Sequence, residues 1–541
     1  MRYEYDTSRQ KMEAFSSNET IAATPIVLSG DGLTVDGVVS VARGGRRVEL
    51  DPDALRRVRE ARAVVERVLA SGQAVYGLNT GLGSLSRHRI PVEEIARFSF
   101  ATVADQTGMY GRPLATDVVR AMMLARANGM AKAGVGVRRE LVEALVALLN
   151  AGVHPIVRMI GSVGQADLSE MSDIGKVLIG RGYAEFGGEA LSGAEALKRA
   201  GLVPIELEAK EALALISSNG VTMGRGSLVL VDAADLAESM LIASALSFEA
   251  FGANLSVIHE AAARMRPHAG EVAASGRLRE LMLGSRLWRS GAARNLQDPL
   301  SIRCVPQTQG ALYDALSVAR GTMEIELNSA GDNPLVVVDE DAIVSVGNFD
   351  VVSLAMAFDY VRLGFAHAAQ VANERVQKIL WNHFSGLPTG LTAADGPTGG
   401  LRPLGRAFAA LAAETRFLAN PVSLDYRGQL AEGIEDHASM APLAVSTTSA
   451  LVSLMYRLVA LELIVAAQAV DLRGDPEGIG EGPRVAHAFV RESVPVLSDE
   501  TEWNVDIDGF TRQIADGMLA LRVASAVGGR PTLSEHEPPG I

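Results

Sequence analysis

From residue 51 onward the chain is dominated by a helical rhythm. Leu55, Val58, Ala61, Val64, Val65, Val68 and Leu69 recur at intervals of three and four, the spacing of one buried helix face. Asp51 before Pro52 supplies an N-cap and a proline at the first turn, and Ser71-Gly72 ends the run. Two further helices are expected within residues 114–150. A long Ala- and Leu-rich run follows at 225–285, with no proline between Pro204 and Pro267, and others at 307–330, 349–382, 403–419 and 437–471. Runs of this length, set side by side, predict a bundle. Before them, Pro25-Ile26-Val27-Leu28 and Leu33-Thr34-Val35 flank Gly30-Asp31-Gly32, which predicts a small β-hairpin. Residues 1–24 read as a loosely held leader and 473–485 as a loop rich in Gly, Pro and acid. The last stretch, roughly 30 residues, is weakly patterned and expected to fray. The expected class is mainly α with a minor N-terminal β element. Its expected division is 25–224, carrying loops with candidate chemistry, and 225–541, carrying the long helices and a C-terminal helical region.

Composition narrows this picture. With 541 residues the chain can bury a large core. It is 48% apolar but only 5% aromatic, which suits helices in close contact through small side chains. A formal charge of -14 argues against nucleic acid and anionic membrane as partners. No apolar run is expected to reach membrane-spanning length, and Met1 to Thr20 lacks a signal-peptide core, so the expected location is the cytoplasm. A single cysteine, Cys304, excludes a disulfide framework and any multi-thiolate metal site. No metal is expected.

The candidate chemistry lies in loops. Gly161-Ser162-Val163-Gly164-Gln165-Ala166-Asp167-Leu168 follows a turn-forming approach and precedes a helix beginning. It resembles the signature loop of the histidine and aromatic amino-acid ammonia-lyase family, Gly-Ser-Val-Gly-Ala-Ser-Gly-Asp-Leu. In that family the Ala-Ser-Gly cyclises into the electrophile 4-methylideneimidazole-5-one. Here Gly164 and Asp167 are kept, but only Gln165 and Ala166 stand between them. The serine that would dehydrate and the glycine that would close the ring are missing, so the expectation is a family member without the prosthetic group and without any other cofactor.

Other phrases carry the same resemblance. Tyr76-Gly77-Leu78-Asn79-Thr80-Gly81-Leu82-Gly83 is similar to the family loop whose tyrosine is the general base. Arg126-Ala127-Asn128 and Gly136-Val137-Arg138 match further family phrases. Lys210-Glu211-Ala212-Leu213-Ala214-Leu215 resembles another, after which the family places a substrate-contacting asparagine. Either Asn219 takes that contact over from two positions later or the contact is lost. Gln297-Asp298-Pro299-Leu300-Ser301-Ile302-Arg303 places Arg303 where the family has its carboxylate-clamping arginine, and Leu300 where it has a second tyrosine. A guanidinium fork matches a carboxylate at two points. Glu326-Leu327-Asn328-Ser329 is a further close match, and its Asp332-Asn333 reads as turn chemistry. Gly347-Asn348-Phe349-Asp350 carries aspartate in place of histidine, with Phe349 expected to line the pocket. Asp105 is a second candidate for such a replacement. Glu435-Asp436-His437 resembles the histidine-type phrase in which the glutamate sits near the imidazole ring, and His437 reads as structural.

The resemblance implies a mainly α, histidine ammonia-lyase-like fold and a homotetramer whose sites draw loops from several subunits. It also shapes the expected reaction. A quaternary ammonium has no lone pair to attack an electrophile and already leaves as a neutral tertiary amine. Asp350 and Asp105 add negative charge, Leu300 makes room for methyl groups, and Phe349 with Tyr426, Trp381 or Phe384 offers an aromatic face for a cation. The expectation is therefore β-elimination of trimethylamine from an imidazole-type betaine such as ergothioneine, with Tyr76 as base, Glu435 on the ring and Arg303 on the carboxylate. Another betaine, an ammonia-lyase or aminomutase with an atypical site, and a binding protein without catalysis are the alternatives.

Overall fold

The structure is a computed structural model that describes residues 24–106, 110–392, 399–425, 428–498 and 504–528. Tyr426 and most of the expected leader lie outside these. The first elements depart from the hairpin expectation. β1 (Ile26–Leu28) is followed by a helix, α1 (Val35–Ala42), and pairs in parallel with β2 (Val48–Leu50). The Thr34 side chain accepts from Gly37 N at 3.1 Å and caps α1. The β-branched run Val35, Val38, Val39 and Val41 is buried at helical spacing, so packing overrides strand propensity. α2 (Pro52–Ser71) forms as expected: Asp51 accepts from the amides of Asp53 and Ala54 at 2.7 and 2.9 Å, and Gly72, at φ 73°, ends it.

Two helices, α3 (Thr116–Ala131) and α4 (Arg139–Asn150), precede the signature loop, and α5 (Leu168–Leu178) leaves it. The bundle is built from α6 (Gly220–Phe251), α7 (Val305–Leu327), α8 (Val352–Leu380), α9 (Arg402–Leu418) and α10 (Ala441–Arg473). The expected single run over 225–285 is broken. α6 stops at Gly252, in the left-handed conformation, and short helices Glu260–Met265 and Ala269–Leu281 follow. Likewise the expected loop at 473–485 gives way at Glu481 to a helix, Glu481–Ser493, and helices Ile507–Ala515 and Met518–Val527 order part of the tail.

One expectation about membranes needs correcting. α10 is long and apolar enough to cross a membrane by length and composition. Its apolar surface is instead buried against α6 and α8 in the bundle core. A buried ion pair ties these helices together: Arg375 Nε meets Glu462 Oε1 at 2.7 Å, Ser247 Oγ donates to the same oxygen at 2.7 Å, and Arg375 Nη1 donates to Ser301 O at 3.2 Å.

The helices run in fixed directions. α6, α8 and α10 all begin near the signature loop. At their far ends Arg473 donates to Ala250 O and Ser385 O at 2.6 and 3.0 Å. α7 runs back the other way. Its 23 residues span about 35 Å at 1.5 Å per residue, and this length separates the two ends of the bundle.

Candidate functional site

At one end, the signature loop is gripped from every side. Ser162 Oγ donates to Asp167 Oδ1 at 2.7 Å and accepts from Gly164 N at 2.9 Å. Asp167 is fully buried; its Oδ2 accepts from Thr222 N at 3.1 Å, and its amide donates to Ser218 O at 2.8 Å. Ser439 Oγ donates to Gly164 O at 2.7 Å, and Met440 N donates to Val163 O at 2.9 Å. Gly164 sits at φ 86°, where a Cβ would come within 2.4 Å of Ser439 Oγ, so both conformation and space require glycine. Ala166 holds φ 59°, a strained position for a residue with a Cβ, fixed by its paired neighbours.

The loop has neither a serine nor a glycine between Gly164 and Asp167. A prosthetic group made from Ala-Ser-Gly therefore does not fit the residues present. What the loop does have is the N-terminal ends of α5, α6, α8 and α10 around it, each with a partial positive charge. Carboxylates answer that field. Burial pushes Asp167 up to about 6, against the hydrogen bonds that favour its ionised form. Burial, then the neighbouring Asp167, pushes Glu170 up to about 8.

Several residues named from the sequence gather here. Asn219 Nδ2 donates to Phe349 O at 2.6 Å. Asp350 pairs with Gln165 as an isolated backbone bridge, accepts from Val352 N at 2.9 Å, and meets His437 Nε2 at 2.8 Å. The His437 contact makes Asp350 a partnered carboxylate, and nothing in the sequence pattern signalled it. Tyr76 is half-buried, and its hydroxyl accepts from Gly83 N at 3.0 Å. Gly83 in turn lies against Ala431, in the segment leading to the half-buried Glu435. Loop 75–83, segment 431–440, residues 349–350 and the signature loop thus form one continuous cluster. Asp105 is exposed at the C-terminus of the helix Ile95–Ala104, with no side-chain bond to this cluster among the described residues.

Arg303, Gln297 and Leu300 lie at the opposite end, beside the start of α7. The Gln297 side-chain oxygen accepts from Arg303 Nη1 and Nη2 at 2.9 and 3.0 Å, which fixes the guanidinium plane. Arg303 Nε has no partner among the described residues. Leu300 is 62% exposed. A cleft lined by Phe251, Arg294, Gln297, Asp298, His383 and Phe384 adjoins them. The faces of Phe251 and Phe384 are already covered by cations: Arg294 stands 5.5 Å from the first ring centre and Lys378 stands 5.6 Å from the second. Trp381 packs on Phe384 at 6.2 Å. These aromatic side chains therefore serve this end rather than the loop end.

Comparison with known proteins follows the same lines. The sequence profile described as aromatic amino acid lyase matches residues 33–492. The histidine ammonia-lyase of Gloeobacter violaceus is 39% identical over 506 residues, covering 93% of this chain and 98% of that one. The histidine ammonia-lyase of Symbiobacterium thermophilum is 37% identical over 500 residues, covering 92% and 98%. Among solved structures, ergothionase from Treponema denticola, in complex with desmethyl-ergothioneine sulfonic acid, superposes with a TM-score of 0.87 at 30% identity, covering 92% of this chain and 99% of that one. Tyrosine aminomutase from Streptomyces globisporus gives 0.87 at 29% identity, covering 93% and 99%. Mainly helical, with a few small sheets and matched over nearly its whole described length, the chain belongs to the aromatic amino acid lyase family of carbon–nitrogen lyases.

Proposed function

We propose that this protein eliminates trimethylamine from an imidazole-type betaine, ergothioneine, leaving thiourocanate, and does so without an internal electrophile. The observation that carries the reading is the loop itself. Gly164-Gln165-Ala166-Asp167 lacks the atoms from which the family electrophile is made, yet it is held in place by hydrogen bonds from the chain around it and within it. A site of this kind suits a substrate whose nitrogen leaves unaided. The likeness to ergothionase supports the same reading.

In the proposed reaction Arg303 holds the substrate carboxylate in two-point contact, its plane set by Gln297. Tyr76 takes the β-proton as general base. The C–H electron pair becomes the new double bond, and the C–N pair leaves with nitrogen as neutral trimethylamine. Glu435 orients the thioimidazole ring. The positive helix ends at the loop favour loss of positive charge from the departing group, while Asp350 offsets them during binding.

Arg303 cannot reach the loop of its own chain across a helix about 35 Å long. The reading therefore needs a second copy of the chain to bring Arg303 to the loop, as a homotetramer with shared sites would. To test the function, purified protein is mixed with ergothioneine, and trimethylamine and the ultraviolet band of a ring-conjugated acrylate are followed. Both should appear in equal amounts; folded protein that yields neither counts against the proposal. The histidine ammonia-lyase relatives favour a second reading, deamination of histidine, and ammonia release from histidine would support it.

A further inference from the structure

One buried arginine at the loop end has no role in the mechanism above. Arg126, on α3, is 2% exposed, and its Nε and Nη2 have no hydrogen-bond partner among the described residues. It lines an enclosed cavity of about 10 Å³ together with Ser218 and Asn219, at the entry to α6, and Glu326, near the end of α7. Ser218 Oγ and Asn219 Oδ1 are likewise buried and without a partner among the described residues. The orientation of the Asn219 amide is fixed, because its Nδ2 donates to Phe349 O at 2.6 Å.

The neighbouring charges do not meet these needs. Asp332 interacts electrostatically with Arg126, but its Oδ2 is bound to Lys210 Nζ at 2.7 Å, and its Oδ1 also has no partner among the described residues. Burial pulls Arg126 down from the ordinary arginine range, and Asp332 only partly opposes this. Buried donors and acceptors left unpaired are costly, and protein interiors settle such groups with ordered water. The cavity has room for about one water molecule. A water can accept from the guanidinium and donate to Asn219 Oδ1 at the same time. A monatomic anion can do only the first, and it would face both the Asn219 oxygen and the Glu326 carboxyl group.

We propose that Arg126 is a positioning residue that acts through one buried water on Asn219 and Ser218. Both stand directly behind the site. Asn219 holds Phe349 O, one residue before Asp350, which bridges to Gln165 of the signature loop. Ser218 O accepts from the amide of Asp167 at 2.8 Å, at the end of that loop. A water fixed by a buried guanidinium thus ties α3 to the two segments that meet at the loop. Arg126 keeps residues 218–219 in place, and through them the backbone at Asp167 and at Asp350. The role is the same whichever amine leaves.

The test uses the full chain. A crystal structure that shows ordered water should hold one peak in the cavity, within hydrogen-bond distance of Arg126 Nε or Nη2 and of Asn219 Oδ1; no peak there overturns the proposal. Crystals grown in sodium bromide separate the two occupants, since anomalous scattering at that peak means an anion and also overturns it. Arg126→Met removes the donors and keeps an unbranched chain. Amide hydrogen exchange, followed peptide by peptide, should then quicken about three- to tenfold at residues 218–222 and 349–352, the worth of one hydrogen bond, and stay unchanged in α10. Arg126→Lys keeps a donor and should recover most of the protection. Equal exchange in the wild type and the Arg126→Met variant, a uniform rise across the chain, or two variants that behave alike overturns the positioning role. The wild-type crystals decide the matter even if Arg126→Met does not fold. Density and exchange are both read without substrate, so a failure to release trimethylamine from ergothioneine contradicts the function and not the water.

Discussion

The two ends of the bundle are opposite in chemistry. At the signature loop, carboxylates are pushed above their ordinary range: Asp167 by burial, Glu170 by burial and then Asp167, and the half-buried Glu326 by burial and then Asp350. At the other end arginines are crowded, and burial followed by the neighbouring Arg294 and Arg286 pulls Arg473 down to about 10. There Gln297 holds Arg303, whose Nε has no partner among the described residues. A betaine carries a permanent cation and a carboxylate a few bonds apart. Neither end alone suits both, and α7 keeps them roughly 35 Å apart in one chain. The lesson is that one chain carries the proposed base and the proposed carboxylate clamp at opposite ends of α7, so the proposed reaction requires two copies of the chain to bring them together.

Several measurements break or sharpen that contrast. Tyr76→Phe, at the loop end, should lower kcat by about 10²–10⁴-fold, the usual worth of a general base, with the fold intact by circular dichroism. Glu462→Ala leaves Arg375 charged and buried without its partner and frees the anchor on Ser301, so it should cost roughly 3–5 kcal/mol in denaturant unfolding. Arg303→Ala removes a charge-assisted clamp worth about 1.5–3 kcal/mol and should appear mainly as a raised KM. Mixing Tyr76→Phe and Arg303→Ala chains after joint refolding should then restore part of the lost activity, because some sites receive both intact halves. No recovery would mean that both residues belong to one chain's site.

The smallest effect concerns pH. Glu170 binds its proton more tightly folded than unfolded, so the native state carries more protons between about 4.5 and about 8, and stability falls as pH rises across that window. Glu170→Gln removes this loss. Its melting temperature should match the wild type near pH 4.5 and exceed it at pH 9; a wild type that melts no lower than the variant at pH 9 contradicts the buried-acid description.

Much of this architecture was legible because long amphipathic and apolar runs have few alternatives. The bounds expected for α2, α7, α8, α9 and α10 differ from those observed by a few residues. Short elements were harder. Leu33-Thr34-Val35 has strand composition, but Thr34 capped a helix once α1 could bury its valines. α6 ended at Gly252 without a proline to announce it. At the loop end, Tyr76, Asn219, Phe349, Asp350 and Glu435 were named from short phrases, and the structure places them in one cluster. The His437–Asp350 pair joins positions 87 apart and depends on which helix ends meet, so no local pattern encodes it.

The most direct measurement compares ergothioneine with 2-thiohistidine, which differs only in carrying a primary ammonium where ergothioneine carries trimethylammonium. A site without an electrophile can expel trimethylamine from the first but has no means of activating the amine of the second. The account predicts stoichiometric trimethylamine from ergothioneine and no ammonia from 2-thiohistidine under the same conditions. Ammonia from 2-thiohistidine at a comparable rate would contradict it.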